Sequence, residues 1–533
     1  MTKEQLVKGT KHSGLLSLVG CLVMTAAATQ AQAPATPQGA PAPAAGMRDA
    51  AVTVDFGQTR GTLLRTERYN NLTRANRWLP QRDADVQFFN EQGLHGHIYR
   101  VWIIVEEIHD FKTGRYNYDG IDDYLADVSR LSDELLVVLD TRESMGKLRR
   151  TPEQLRTPVK TILRYIKERH SQVKYIEPFN EPDHNLRDFM KPEQLYAYYR
   201  VYNQAVNEVN RELKPKIPLL IGGPATGSCG SPWAPPGPNN MGWIPKFLDA
   251  YAADRDPGKR LDFLSYHAYG FFKNQRTCSD YQPIRTDPSI LAGQRARTDD
   301  ELRKRGLDVN IPSFLTETGG YPGPSYDNKQ DPRPDYLRQA AIMASYMYWY
   351  LENPKDVPFN WVLRHSQEER KDQLVTRARN GQRIETKGAD NVEDLPTRTF
   401  TPYGNQMLMF SKLKRERVGA WSSALQAGKG VYALATRDDS GAAVMVWNYQ
   451  QAAAQPFRVA IDMGQLPANL RGKTLRQRMY RIDDKISNYW GNPATANLQQ
   501  VSDAVVKPGA RLNVSVDLTA NALQLIVLEP SRS

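Results

Sequence analysis

The chain lacks a long apolar run. Past its N-terminus no stretch approaches the roughly 20 residues that a membrane-spanning helix needs, which excludes an integral helical membrane protein. It lacks internal repeats, and its Lys and Arg are scattered instead of gathered on one helix or interleaved with stacking aromatics, which argues against nucleic acid as a partner. Cysteine is scarce: Cys21, Cys229 and Cys278 are the only three in 533 residues. What is present is ordinary globular composition, 40% hydrophobic and 24% charged, which excludes wholesale disorder and a collagen-like fibre. The length allows two to four domains.

Residues 1–33 read as a secretory signal peptide: Lys3, Lys8 and Lys11 form a basic start, an apolar run follows from Gly14 to Ala28, and Ala31-Gln32-Ala33 resembles a cleavage site. Leu18-Val19-Gly20-Cys21 resembles a lipoprotein box. Ordinary cleavage is favoured, because Cys21 sits in the middle of the apolar run and not at its end. Export to the periplasm or the medium is therefore expected. Residues 34–47 form an Ala/Pro-rich flexible linker. Losing the leader's three Lys and one Glu lowers the formal charge of +11 by two, so the mature chain stays basic. That charge admits an acidic polymer such as a uronic-acid glycan as partner, although solubility alone accounts for it.

Beyond residue 57 strands alternate with helices. Gly61–Arg65, His97–Val105, Glu134–Asp140, Val173–Asn180, Ile217–Gly222, Leu261–His267, Ile311–Thr316 and Val357–Leu363 read as eight strands. Several of the intervening helices open with Pro in the first turn, as at Pro152, Pro192 and Pro334. Eight such units predict an α/β fold, a (β/α)8 barrel over 58–414. From Gly430 the period becomes alternation without helices, with strands read at Gly430–Thr436, Ala442–Tyr449, Pro456–Asp462, Leu475–Ile482, Leu512–Val516 and Leu523–Leu528, which predicts a C-terminal β-sandwich domain over 415–533. Residues 48–57 alternate as a strand expected to join it. Residues 366–398, polar throughout, read as a lid or an insertion.

In such a barrel the reacting groups sit where strands end. Glu181 follows the fourth strand in Glu177-Pro178-Phe179-Asn180-Glu181-Pro182, and Glu317 follows the seventh in Thr316-Glu317-Thr318-Gly319. Hydrolysis of a glycosidic bond needs such a pair, one carboxyl to protonate the leaving oxygen and another to attack or solvate the anomeric carbon. The two are expected roughly 5 Å apart, the spacing of a retaining enzyme.

With these residues the sequence resembles glycoside hydrolase family 39, the β-xylosidase and α-L-iduronidase family of retaining (β/α)8 glycosidases. The resemblance is carried by Glu177–Pro182, by Gly222-Gly223-Pro224-Ala225 followed by Trp243 and Phe247-Leu248, and by Leu261 to Tyr269. It covers roughly residues 93–365 and implies Glu181 as acid/base and Glu317 as nucleophile. Pro178-Phe179 stand where the xylosidases usually carry an aliphatic residue and Trp, a departure that bears on which sugar is taken.

Around that pair, Asn180 is placed to donate to a sugar 2-hydroxyl, Tyr269 to bond Glu317, His267 to reach a hydroxyl, Arg100 to keep Glu317 anionic, and Trp361 to offer an apolar platform. Glu177, four residues before Glu181, reads as a paired structural carboxylate in a deeper layer. Glu106, Glu107 and His109 read as a solvated loop, and His95 with His97 lies at the opposite face, so no metal site is expected. Trp233 and Tyr321 are loop aromatics. Asn71 opens a sequon that a bacterial-type leader leaves idle. Cys229 and Cys278 follow the fifth and sixth strands on adjacent loops and are candidates for a disulfide.

The chemistry needs no cofactor, since carboxylates and water carry both half-reactions. The reading is an exported retaining glycosidase acting on a poly- or oligosaccharide. A non-catalytic carbohydrate-binding or matrix protein on the same barrel and a transglycosylase stay open as alternatives.

Overall fold

The computed structural model describes residues 46–72, 82–141, 150–185, 190–227, 242–269, 287–320, 333–364, 375–376, 399–452, 454–489 and 491–531. Its first strand, β1 (Arg48–Thr62), runs ahead of a closed eight-stranded barrel. The barrel strands are β2 (Tyr69–Leu72), β3 (Gly96–Ile104), β4 (Ser132–Asp140), β5 (Val173–Glu177), β6 (Leu220–Thr226), β7 (Phe263–Tyr269), β8 (Ser313–Gly319) and β9 (Asp356–Arg364). All neighbouring pairs are parallel, and β2 closes the ring against β9.

One expectation is corrected here. The first barrel strand is Tyr69–Leu72 and not Gly61–Arg65, whose opening residues instead finish β1. The true strand escaped the hydrophobic pattern because it is short and carries Asn70 and Asn71, both buried, where alternation looks for apolar side chains.

The outer helices follow from local sequence. Pro152–Arg169 starts on a capping box in which the Thr151 side chain accepts from the Gln154 N–H while Gln154 accepts from the Thr151 N–H. Its buried residues Leu155, Val159, Ile162, Leu163 and Ile166 recur at helical spacing and face the strands. Pro192–Leu213 also places Pro in its first turn and ends where Lys214 turns into the left-handed region at φ 46°.

Inside the barrel, one apolar layer is built from Ile98, Leu136, Val138, Phe263, Phe314, Val357 and Phe359. Along β3, the residue two beyond Ile98 on the same face is Arg100, and two further is Trp102. The interior thus passes from apolar to charged to aromatic toward the C-terminal ends of the strands.

Two short strands, β10 (Val375–Thr376) and β11 (Thr399–Phe400), pair with each other. The rest of the chain is β12 (Glu416–Ser422), β13 (Leu425–Gln426), β14 (Lys429–Asp438), β15 (Gly441–Tyr449), β16 (Phe457–Gly464), β17 (Leu475–Ile482), β18 (Gln499–Val506), β19 (Leu512–Leu518) and β20 (Leu523–Pro530). With β1 they make one ten-stranded mixed sheet, in which β1 pairs with β12 antiparallel and with β16 parallel. Side chains from β1, β14, β15, β16, β19 and β20 meet in one shared core, so the sheet curls over its own inner face as a sandwich does. Strands β12, β13 and β18 were not anticipated. β18 is an edge strand with Val501 and Val505 exposed, which removes the alternation that marks a half-buried strand.

The sheet's outer face packs on the barrel helix Arg333–Tyr350. There the Trp447 indole N–H donates to Ser345 Oγ at 2.9 Å and the Trp349 indole N–H to Tyr432 Oη at 3.0 Å.

Candidate active site

Glu317 sits near the end of β8 because the strand is irregular there. Tyr266 pairs with Leu315 and His267 with Glu317, so Thr316 is an extra residue opposite β7. Such a bulge lets two successive side chains, Thr316 and Glu317, both reach the interior, where regular alternation would turn one outward. Thr316 Oγ1 donates to Glu177 Oε1 at 2.9 Å. Glu317, 4% exposed, takes Arg100 Nη1 on Oε1 at 2.8 Å and the Tyr269 hydroxyl on Oε2 at 2.5 Å. Both carboxylate oxygens therefore accept from strong donors, which fix the orientation of the carboxylate.

Arg100 organises the layer beneath. Its Nε donates to Glu177 Oε2 at 2.7 Å, Nη1 also approaches Asn71 Oδ1 at 3.3 Å, and Nη2 donates to Asn180 Oδ1 at 2.8 Å. Burial pulls the guanidinium pKa down, but the two carboxylates Glu177 and Glu317 outweigh it and hold the pKa above its ordinary value. Glu177 belongs to this structural layer, in contact with Arg100 and Thr316.

Glu181 lies past the end of β5 with φ 50°, a left-handed conformation uncommon for a residue with a side chain. Its N–H donates to Ala225 O at 2.9 Å at the end of β6, which helps pin the turn. Its Oε1 lies 2.9 Å from His267 Nδ1, which is also 3.5 Å from Glu317 Oε2. One oxygen of each glutamate and a ring nitrogen of His267 all fall within 4.8 Å of one another. Among the described residues this is also the single His and carboxylate group close enough to share an ion. Arg100 and Tyr269 already engage Glu317, an arrangement suited to acid–base and nucleophilic chemistry.

Above this layer, Trp361 and Tyr269 pack together with Trp102 against them. All seven residues singled out from the sequence for this site, namely Glu181, Glu317, Asn180, Tyr269, His267, Arg100 and Trp361, thus converge on one end of the barrel. Two more belong here that sequence reasoning passed over. Asn71, noted only as a sequon, is buried and donates to Thr316 O at 2.9 Å and to Asn360 O at 3.2 Å. Trp102 shares the interior face of β3 with Arg100, a spacing of two that pointed to it.

The other described candidates make contacts of their own. Glu106 accepts from Thr141 Oγ1 at 2.8 Å, and the His109 ring packs on Phe111 and Tyr116. His95 and His97 share Asp133 at 3.0 and 3.2 Å, at the N-terminal end of β3. Cys229, Cys278, Trp233, Tyr321, the leader and all of 366–398 except Val375 and Thr376 lie outside the described residues.

The family model for glycosyl hydrolases family 39 matches residues 157–499, a span that takes in Glu181 and Glu317. The chain belongs to this family. This family 39 member is accordingly a glycosidase. Among solved structures it is similar to a bacterial orthologue of human α-L-iduronidase, at TM-score 0.66 and 15% identity over 91% of this chain and 84% of the other. It is also similar to a monomeric β-xylosidase from Caulobacter crescentus CB15, at TM-score 0.64 and 14% identity over 90% of this chain and 100% of that one. A family 39 enzyme from Xanthomonas axonopodis pv. citri aligns at TM-score 0.62 and 15% identity, over 90% and 97% of the two chains. At these identities the likeness is one of fold. No curated protein matches the glycosidase in sequence, and no described helix is long and apolar enough to cross a membrane.

Proposed function

We propose that the protein is an exported glycosidase that cleaves a poly- or oligosaccharide with retention of configuration, with Glu317 as nucleophile and Glu181 as acid/base. One observation carries this reading: an oxygen of Glu181 and an oxygen of Glu317 lie within 4.8 Å of each other, in keeping with direct attack, whereas inverting carboxyl pairs stand roughly 6.5–9.5 Å apart to admit a water.

In the first half-reaction Glu317 attacks the anomeric carbon while the Glu181 carboxyl gives its proton to the departing glycosidic oxygen. The bond to the leaving group breaks as the bond to Glu317 forms, which leaves a glycosyl ester and an anionic Glu181. Esterification removes the charge of Glu317, and Glu181 then takes a proton from water as that water attacks the same carbon. Hydrolysis releases the sugar and restores both carboxyls. Arg100 and Tyr269 hold Glu317 in place for attack and steady it as leaving group, Asn180 is oriented by Arg100 toward the sugar, and Trp361 offers a stacking face.

Glu181→Gln and Glu317→Gln are expected to fold as wild type and to lose at least about 1,000-fold in kcat on a natural glycan. Wild-type turnover by either variant contradicts the assignment.

Export rests on the N-terminal leader. An exported chain would carry Cys229 and Cys278 as a disulfide, which intact mass before and after reduction tests; two free thiols in the exported protein refute it.

A further inference from the structure

The aromatic layer contains a residue whose contacts go beyond lining a cavity. Trp102 lies on the interior face of β3, two residues beyond Arg100 and partly exposed where the barrel opens. Its ring centre is 4.4 Å from the Arg100 guanidinium carbon, and its plane meets that of Trp361 at 86° with ring centres 5.5 Å apart. The guanidinium is thus hydrogen-bonded to Glu177, Glu317 and Asn180 while its carbon lies over the face of an indole.

We infer that Trp102 is a positioning residue for the nucleophile: its ring fixes the plane of Arg100 and shields the Arg100–Glu317 pair from water, while its exposed edge forms, with Trp361, an aromatic corner for the sugar. The inference rests on Glu317 being the nucleophile. A guanidinium free to tilt cannot serve three acceptors in one plane, and one open to water attracts Glu317 less strongly. The charged and titratable groups facing the pair are Glu177 and Glu181 from the end of β5 and His267 and Tyr269 from β7. None of them offers the guanidinium a ring face as Trp102 does.

The test compares Trp102→Leu, which keeps apolar bulk without a π face, with Trp102→Phe, which keeps a ring. Each is assayed across pH with whichever of 4-nitrophenyl β-D-xyloside, β-D-glucoside or α-L-iduronide the wild type turns over. In Trp102→Leu, kcat/KM should fall about 10-fold, with much of the loss in kcat, and its acidic limb should move up by about half a pH unit as the Arg100–Glu317 pair opens to water. Trp102→Phe should return the limb to within about 0.2 of wild type. Trp102→Met replaces the Leu variant if that variant does not fold. A limb unmoved in the ring-less variant, with the loss confined to KM, overturns the inference and leaves Trp102 a passive wall. Azide added to Glu317→Gly separates the two levels. Rescue with an unmoved limb overturns the Trp102 inference alone; absence of rescue overturns the nucleophile assignment, and the inference with it.

Discussion

Arg100 Nη1 and Glu317 Oε1 lie 2.8 Å apart, both side chains almost fully buried, and the same guanidinium also holds Glu177 and Asn180. A planar fork can meet three acceptors at once, which a single ammonium at the end of a flexible chain cannot.

Replacing Arg100 separates its two duties. Arg100→Met strands Glu177 and Glu317 without a cation and should destabilise the fold by roughly 3–5 kcal/mol. Arg100→Lys keeps the charge but loses the fork, so it should fold with a smaller penalty and still lose about 100-fold in kcat as Glu317 and Asn180 drift from register. Urea midpoints together with initial rates decide this. Near-wild-type kcat in Arg100→Lys would show that charge alone suffices.

A second buried carboxylate makes a prediction about pH. Asp356 opens β9, fully buried, and burial raises its pKa to about 7. Arg295 Nη1, at 4.0 Å, lowers it only in part, being already engaged by Asp299, Ser313 and Val309 O. The folded pKa therefore exceeds the unfolded value of about 3.9. The contribution of Asp356 to stability is complete below about pH 4 and is lost as pH rises through 7, at up to about 1.4 kcal/mol per unit. Urea midpoints between pH 5.5 and 8 should fall less steeply in Asp356→Asn than in wild type, and Asp356→Asn should compare best at pH 8. Parallel slopes would show that Asp356 is ionised throughout.

The same contrast between apolar and polar interiors explains what the sequence made legible. Strands such as β4, with Leu135 to Leu139 all buried, declare themselves by their apolar runs, and helix Pro192–Leu213 by its Pro start and periodic core residues. Strand β2 does not, because Asn71 is buried to bond Arg100 and two backbone carbonyls, a use that no hydropathy pattern encodes. Glu181 and Glu317 were legible because strand ends in this architecture face one another. The bulge at Thr316 that delivers Glu317 was not, since it depends on pairing with β7. Gly222, read as part of a family signature, proves to be a packing requirement: a Cβ there would come within 2.2 Å of Phe263 O on the neighbouring strand.

The most direct test of the two-carboxylate account is the anomeric configuration of the first-formed product, followed by proton NMR before mutarotation. Attack by Glu317 from the face opposite the leaving group, then by water from the face opposite the Glu317 ester, gives two inversions, so the product should carry the substrate's configuration. An inverted first product would contradict the roles of Glu317 and Glu181 together, whatever sugar is released.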